Sequence, residues 1–249
     1  MSDTTGSSMT LGGTTEYFEE HYEVRPLAQN VAKEYITNHH YTHGCHNAPG
    51  PCYGLYEDDR LIGALLYANP CTDAVRKSVW GPEMKESVIE LHRLYIEDGT
   101  PRNTESWFIM QCQKRLHEDR PEIKGVLSFA DSTEGHVGTI YKATNFHFVG
   151  KTSPTYFYVD ETGRLRHPHQ NSKNVTKKQA EQLGWKRVRR QAKFRYLQIL
   201  ADDRRERRML EQSGRYDVRH FEWCMECGKP HRIGEKCKCG EKELVHEAV

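Results

Sequence analysis

The sequence predicts a mixed α/β sheet flanked by helices, followed by a basic helical extension and a small C-terminal zinc knuckle or ribbon. Three observations carry this. Apolar and alternating runs follow the order strand, helix, hairpin, strand, helix, strand, helix, paired strands, which suits a mixed sheet with helices on its faces. Positive charge collects in one block: residues 1–163 hold 14 Lys/Arg against 23 Asp/Glu, whereas residues 164–215 hold 16 against 5. Four of the eight cysteines sit together near the C-terminus as CMECGKPHRIGEKCKCG.

Residues 1–20 are Ser/Thr/Gly-rich, lack the basic and apolar segments of a signal peptide, and are expected to be a disordered leader. No apolar run approaches the roughly 20 residues that span a bilayer, so we expect a soluble, cytoplasmic protein without a membrane partner. Residues 21–163 are expected to form the main domain. YEVRPLAQNVAKEYITNHHY reads as a strand and then a helix, with Pro26 suited to the first turn and Leu27, Val31 and Ile36 at near-helical spacing. CYGLYEDDRLIGALLYANP reads as a hairpin turning at Glu57–Arg60, and ESVIELHRLYIED as a central strand. A helix follows, capped by Asn103 or Thr104 and stopped at Pro121. IKGVLSFAD is the next strand, HVGTIYKATNF a short helix, and HFVGKTSPTYFYVD a strand pair or hairpin. The polar stretch after Gly163 marks a boundary. Residues 164–215 are expected to be a basic helical extension, helical near 175–212, and residues 216–249 the metal-binding tail.

Each segment offers candidate chemistry. In SFADSTEGHVGTIYKATNF, Asp131 ends an apolar run before a Gly-containing loop, where ligands bind at the open edge of α/β sheets; the alternative is that Asp131 caps the next helix. A basic block lacking acidic counterweight is the footprint of a polyanion partner, and Trp185, Phe194 and Tyr196 interleave with it. Lys186, Arg187, Arg189, Arg190, Lys193 and Arg195 are therefore candidate nucleic-acid contacts, against the alternative of a solvated basic helix face. Cys224, Cys227, Cys237 and Cys239 form two close thiolate pairs on tight turns, as a tetrahedral structural zinc requires, with His231 an alternative ligand. Cys45, Cys52, Cys71 and Cys112 are scattered, as reduced thiols are.

HHYTHG, ELHRLYIEDGTPRNTESWFI and SFADSTEGHVGTIYKATNFHFVGKT, taken with KFRYLQIL, resemble the Mom family of bacteriophage DNA-modification proteins over roughly residues 22–200. The resemblance implies a divergent GNAT acyltransferase fold and conversion of adenine in double-stranded DNA to an N6-carbamoylmethyl form that evades restriction. It also implies the cytoplasm of a host cell. ESVIELHRLYIED and IKGVLSFAD would then be the splayed central strands, delivering Arg102, Asn103, Thr104, Ser106 and Asp131 to one rim. There Asp131 would accept the N6 hydrogen bond and then the proton. Tyr141 would be the general acid unless it is core, and His136 an acid, base or ligand.

Of the histidines at the helix end, His40 is favoured over His39, because adjacent helical residues point about 100° apart. The family has been suggested to use iron, for which His40, Asp131 and His136 are chemically suitable. Arg102, Asn103 and Thr104, with Ser106 placed in the catalytic group, would hold a donor or DNA phosphate at a helix N-terminus, or merely cap the helix. The adenine would be flipped and stacked on aromatics such as Tyr41, Trp107 or Tyr141.

Two features depart from the family pattern. The cysteine tail is an addition, and GTPRNTES lacks a Gly-rich phosphate loop, which argues against plain acetyl-CoA chemistry. Acetyl-CoA, an amino-acid derivative and an aminoacylated carrier all stay open as donor. The rival readings are a non-catalytic DNA-binding protein on the same scaffold and an N-acetyltransferase acting on a small amine or a protein.

Overall fold

The computed structural model describes residues 11–40, 49–170, 173–216, 221–224 and 229–232. Along the chain run α1 (Leu11–His21), β1 (Glu23–Pro26), α2 (Gln29–His39), β2 (Cys52–Glu57), β3 (Arg60–Ala68), α3 (Asp73–Trp80), β4 (Val88–Ile96), α4 (Thr104–Asp119), β5 (Gly125–Ala130) and α5 (Thr139–Ala143). There follow β6 (His147–Lys151), β7 (Thr155–Val159), β8 (Leu165–Arg166), β9 (His169–Gln170), β10 (Lys173–Asn174), α6 (Lys177–Gln182), β11 (Lys186–Arg190), β12 (Phe194–Ile199), α7 (Arg204–Ser213), β13 (Phe221–Trp223) and β14 (Pro230–Arg232).

The main sheet has seven strands in the order β1-β2-β3-β4-β5-β12-β6. Its centre follows from composition: in β3 every residue from Ile62 to Ala68 is buried, as expected of a strand covered on both faces. β1 to β4 pair antiparallel, whereas β4 and β5 pair parallel. Parallel neighbours need a crossover, and α4 supplies it, burying Phe108, Ile109, Cys112 and Leu116 along one face. The β4–β5 ladder matches Val88–Glu90 with Gly125–Leu127. Just past it the Leu91 carbonyl accepts a hydrogen bond from the buried Ser128 hydroxyl at 3.2 Å, so a side chain takes over where the backbone ladder ends.

The chain divides into two compact units. The first comprises Met1–Ser128, Ile140–His147 and Leu197–Tyr216; the second comprises Phe129–Thr139, Phe148–Tyr196 and Asp217–Val249. In the first, Phe18 of α1 and Tyr22 just after it pack against Trp107 of α4, with ring centroids 5.5 and 6.3 Å apart. In the second, a three-stranded sheet in the order β11-β7-β8 is closed by a turn at Asp160. The Asp160 carboxylate accepts from the Thr162 hydroxyl, the Thr162 and Arg164 amides and the Arg166 guanidinium, which together hold it well below the usual carboxylate range. No helix among the described residues is long and apolar enough to cross a membrane.

Several expectations are corrected. Residues 164–215 are no helical extension: only α6 and α7 are helical there, β11 pairs with β7, and β12 lies in the main sheet between β5 and β6. The density of Lys and Arg masks the apolar set Phe194, Tyr196, Leu197 and Ile199, all buried. The expected boundary at Gly163 falls within the second unit. The leader prediction fails over residues 11–20, because Phe18 and Tyr22 give that segment an aromatic face to bury. β6 and β7 are not a hairpin but belong to different sheets. Pro26 ends β1 rather than opening α2, and α3, capped by the Thr72 hydroxyl, went unread. In α2 the buried positions are Ala32 and Ile36, while Val31 is exposed.

Candidate functional site

β5 ends at Ala130, and the backbone turns through a short 3₁₀ helix at Ser132–Glu134. Asp131 is its N-cap: one carboxylate oxygen accepts from the Thr133 amide at 3.0 Å. Gly135 closes the turn in the left-handed region at φ 76°, and the His136 amide donates to the Asp131 carbonyl. The capping reading of Asp131 is thus correct, but it uses only one oxygen. The other lies 2.8 Å from Arg190 and 3.5 Å from Lys193, and Arg190 also reaches Glu134 at 2.8 Å.

The link between β11 and β12 is tied to this turn along its length. The Gln191 amide donates to the Thr133 hydroxyl, and the Ser132 hydroxyl donates to the Ala192 carbonyl. Burial alone would raise the Asp131 carboxyl, but hydrogen bonding from Arg190, the charges of Lys193 and Arg190 and the Thr133 amide outweigh it and hold it below its ordinary value. The turn is therefore an ionised carboxylate in a largely desolvated cradle. Downstream, Gly138 has φ 78°, and a Cβ there would come within 2.5 Å of the Tyr196 ring, whose hydroxyl donates to the Val137 carbonyl. Only glycine lets the chain pass so close to that ring.

Strand alternation sorts the candidate nucleic-acid contacts. β11 pairs antiparallel with β7, Arg187 opposite Tyr158 and Arg189 opposite Tyr156, so these two arginines share a face with the tyrosines. Arg187 lies over the exposed Tyr156 ring at 3.6 Å, and both arginines are exposed. Exposed Lys186 and half-buried Arg190 occupy the other face, with Arg190 over Phe157 at 5.7 Å. Half-buried Arg195 lies on β12. Sequence reasoning grouped all six as one basic surface, yet Arg190 and Lys193 face the Asp131 carboxylate.

His40, Arg102, Asn103, Thr104, Ser106 and Tyr141 belong to the first unit, whereas Asp131 and His136 belong to the second. His40 caps the C-terminus of α2, its amide donating to Ile36, while exposed His39 stacks on Tyr95 at 5.4 Å and 18°. At the start of α4, Asn103 is left-handed with φ 74° and makes no side-chain cap; the buried Thr104 hydroxyl donates to the Pro101 carbonyl, and the Ser106 hydroxyl to Asn103. Arg102 is exposed there. Tyr141 is half-buried in α5, 5.3 Å from the Phe146 ring. Trp107, expected as a stacking surface, packs against Phe18 and Tyr22 instead. Tyr41 lies outside the described residues.

Two features escaped the sequence. The register of β3 with β4 jumps from Leu66 opposite Arg93 to Tyr67 opposite Leu91, leaving His92 as an extra residue in β4, a bulge of the kind that re-aims side chains beside active sites. His92 lies 3.4 Å from the Glu90 carboxylate, and both side chains are largely buried. The alternation of polar Glu90 and His92 within an apolar strand was the available signal.

Cys227, Cys237 and Cys239 lie outside the described residues. Cys224 follows β13, its amide donating to the Lys229 carbonyl at 2.9 Å, and β13 pairs antiparallel with β14. Among the described residues no group of three or more His, Cys, Asp or Glu is placed to hold a metal ion.

Solved structures similar to the chain are N-acetyltransferases. The ribosomal-protein-S18-alanine N-acetyltransferase of Escherichia coli covers 74% of this chain and 97% of its own at 7% identity with a TM-score of 0.44. An N-acetyltransferase from Staphylococcus aureus Mu50 covers 72% and 99% at 9% identity with a TM-score of 0.40. The protein itself belongs to the Mom protein family, whose model matches residues 21–216. It is 27% identical over 149 residues to the methylcarbamoylase mom of Escherichia phage Mu, a match covering 60% of this chain and 62% of that protein's length.

Proposed function

We propose that this protein is a DNA-modifying transferase that converts adenine in double-stranded DNA to an N6-carbamoylmethyl form, protecting the DNA from restriction. Membership of the Mom family across residues 21–216 carries the reading. The Asp131 turn and the exposed Arg187–Tyr156–Arg189 face supply chemistry that suits it.

The exocyclic N6 of adenine is a weak nucleophile because its lone pair is delocalised into the ring, so the protein must hold the amino group and remove a proton as the new N–C bond forms. Asp131, ionised and shielded, accepts the N6–H hydrogen bond and then the proton, while Arg190 and Lys193 hold it in place. Arg187 and Arg189 take phosphates and Tyr156 offers a ring to an exposed base. Tyr141, His40 and Ser106 of the first unit and His136 of the second are the candidate donors of the proton that the leaving group takes up.

The donor is assigned by class only, as an amino-acid-derived group, free or on a carrier, because the two carbons and the amide nitrogen of the carbamoylmethyl group must come with it; acetyl-CoA brings no nitrogen and belongs to the N-acetyltransferase reading. Of the donor-site candidates, Thr104 has its hydroxyl committed to Pro101, so exposed Arg102, Asn103 and the first-turn amides of α4 would hold its phosphate or carboxylate. Iron does not suit Asp131, one of whose oxygens accepts from the Thr133 amide while the other already faces two cations. A structural zinc on Cys224, Cys227, Cys237 and Cys239 fits the chemistry of the donor set and would stabilise the tail. Metal analysis of Cys224→Ser and Cys237→Ser variants tests that: undiminished zinc, or none in the wild type, rules it out.

Mass spectrometry of nucleosides from DNA of cells expressing the protein tests the central reading. A modified deoxyadenosine lost with Asp131→Ala is expected. Unmodified adenine with soluble wild-type protein refutes it and leaves the DNA-binding reading; acetylation of an amine without competition by DNA favours the N-acetyltransferase.

A further inference from the structure

The helix α7 sorts its charged side chains by face. Glu206, on the inner side, lies 2.8 Å from Lys124 and accepts from the Asp202 amide. Arg207 donates to the Ile199 carbonyl, and Leu210 is buried, its carbonyl accepting from the Trp80 indole. Glu206, Arg207 and the Leu210 carbonyl are thus all partnered within the first unit. Arg204, Arg205 and Arg208 point the other way: all three are exposed, and none forms an ion pair among the described residues.

Their position runs against the helix's own electrostatics. The N-terminal turn carries the positive end of the macrodipole and normally collects acids, yet two of these arginines occupy it and the third lies one turn on. Asp203 at the N-cap and Glu206 in the first turn answer that positive end, while the three guanidinium groups stay exposed with no ion-pair partner among the described residues, open to a polyanion. The rise from Arg204 to Arg208 is about 6 Å at 1.5 Å per residue, the scale of one or two phosphate steps along a DNA strand.

We propose that the Arg204–Arg205–Arg208 face of α7 is a second DNA-contact surface, engaging the phosphate backbone of duplex DNA separately from the β11 arginines. The inference rests on the DNA-modifying reading and extends its footprint to the first unit.

Binding of a fluorescent 20-base-pair duplex by full-length protein over a series of salt concentrations tests it, comparing wild type with the triple variant Arg204→Gln/Arg205→Gln/Arg208→Gln. Because all three side chains are exposed, the variant should keep the wild-type Tm. At roughly 0.9 units of log–log salt slope per neutralised phosphate, the slope should fall by about 2–3 and the affinity at least tenfold. Unchanged slope and affinity in a folded variant overturn the surface. Were the variant to lose its Tm, single Arg205→Gln and Arg208→Gln changes, each expected to lower the slope by about 1, decide the matter. A wild type that binds no duplex at low salt overturns the DNA reading itself. If polyglutamate binds the wild type as tightly as DNA and the substitutions abolish only that binding, the face is for an acidic protein and the proposal fails.

Discussion

Replacing Arg190 separates its two possible roles, holding Asp131 and contacting DNA. Its guanidinium bridges Asp131 and Glu134, and the side chains of Arg190 and Asp131 are only 14% and 13% exposed. Removing one partner of a fully buried pair costs about 3–5 kcal/mol through the charge left behind. Here Lys193 remains 3.5 Å from the same carboxylate, so Arg190→Gln should cost about 2 kcal/mol. Asp131→Asn/Arg190→Gln removes both charges, and urea unfolding of the four proteins should yield a coupling energy of about 1.5–3 kcal/mol, the range of charged hydrogen bonds.

The pH dependence follows in sign. A carboxyl held below its ordinary value in the folded state stabilises the protein above that value, 3.8, and loses this contribution as pH falls through its folded value. Without Arg190, burial acts on Asp131 with less opposition and raises its pKa. The acid limb of the modification rate should then move to higher pH, while DNA affinity changes far less than in Arg187→Gln/Arg189→Gln. Arg190→Lys should restore part of the rate. A coupling energy below about 0.5 kcal/mol, or an affinity loss matching that of the β11 double variant, would refute the reasoning.

Other outcomes can be stated directly. Gly138→Ala places a Cβ on the Tyr196 ring at a positive φ and should cost about 2 kcal/mol or more in chemical denaturation; a neutral substitution would contradict the close approach. Phe18→Ala should cost about 3 kcal/mol, because the ring is 2% exposed and packs on Trp107, whereas a disordered leader would tolerate it without change. Burial, reinforced by Arg207 and opposed by Glu211, pushes His147 below its ordinary 6.5. Stability should therefore fall as pH drops below that value and the unfolded chain takes up the proton first, and His147→Gln should flatten the profile between pH 7 and 5 in thermal scans.

Strands whose burial pattern is local were readable from the residues. β3 is apolar from Leu61 to Ala68 because it is covered on both faces, β5 carries a comparable run and β4 alternates apolar with polar residues, so the centre of the sheet and the helix between β4 and β5 were legible. β12 was not. Its apolar residues interleave with Lys193 and Arg195 and follow the run KRVRR, and its place between β5 and β6 depends on partners some 45 to 70 residues upstream, which no periodicity records. For the same reason the basic block looked like a helical appendage although it supplies a strand of the main sheet.

The site shows the same limit in sharper form. Asp131 could be singled out because it ends an apolar strand before a glycine-containing turn, and its capping reading holds for one carboxylate oxygen while the other meets Arg190. Its counter-ions could not be, since Arg189 and Arg190 are adjacent and identical in sequence while the two-residue period of β11 sends them to opposite faces. Charge density can indicate that a segment meets a polyanion, but only the register tells which arginine is free to do so. Arg187 and Arg189 lie on the exposed face with Tyr156, whereas Arg190 is spent on Asp131 and Glu134. Charge substitutions along this strand should therefore alternate in effect, affecting DNA affinity at one position and the carboxylate turn at the next.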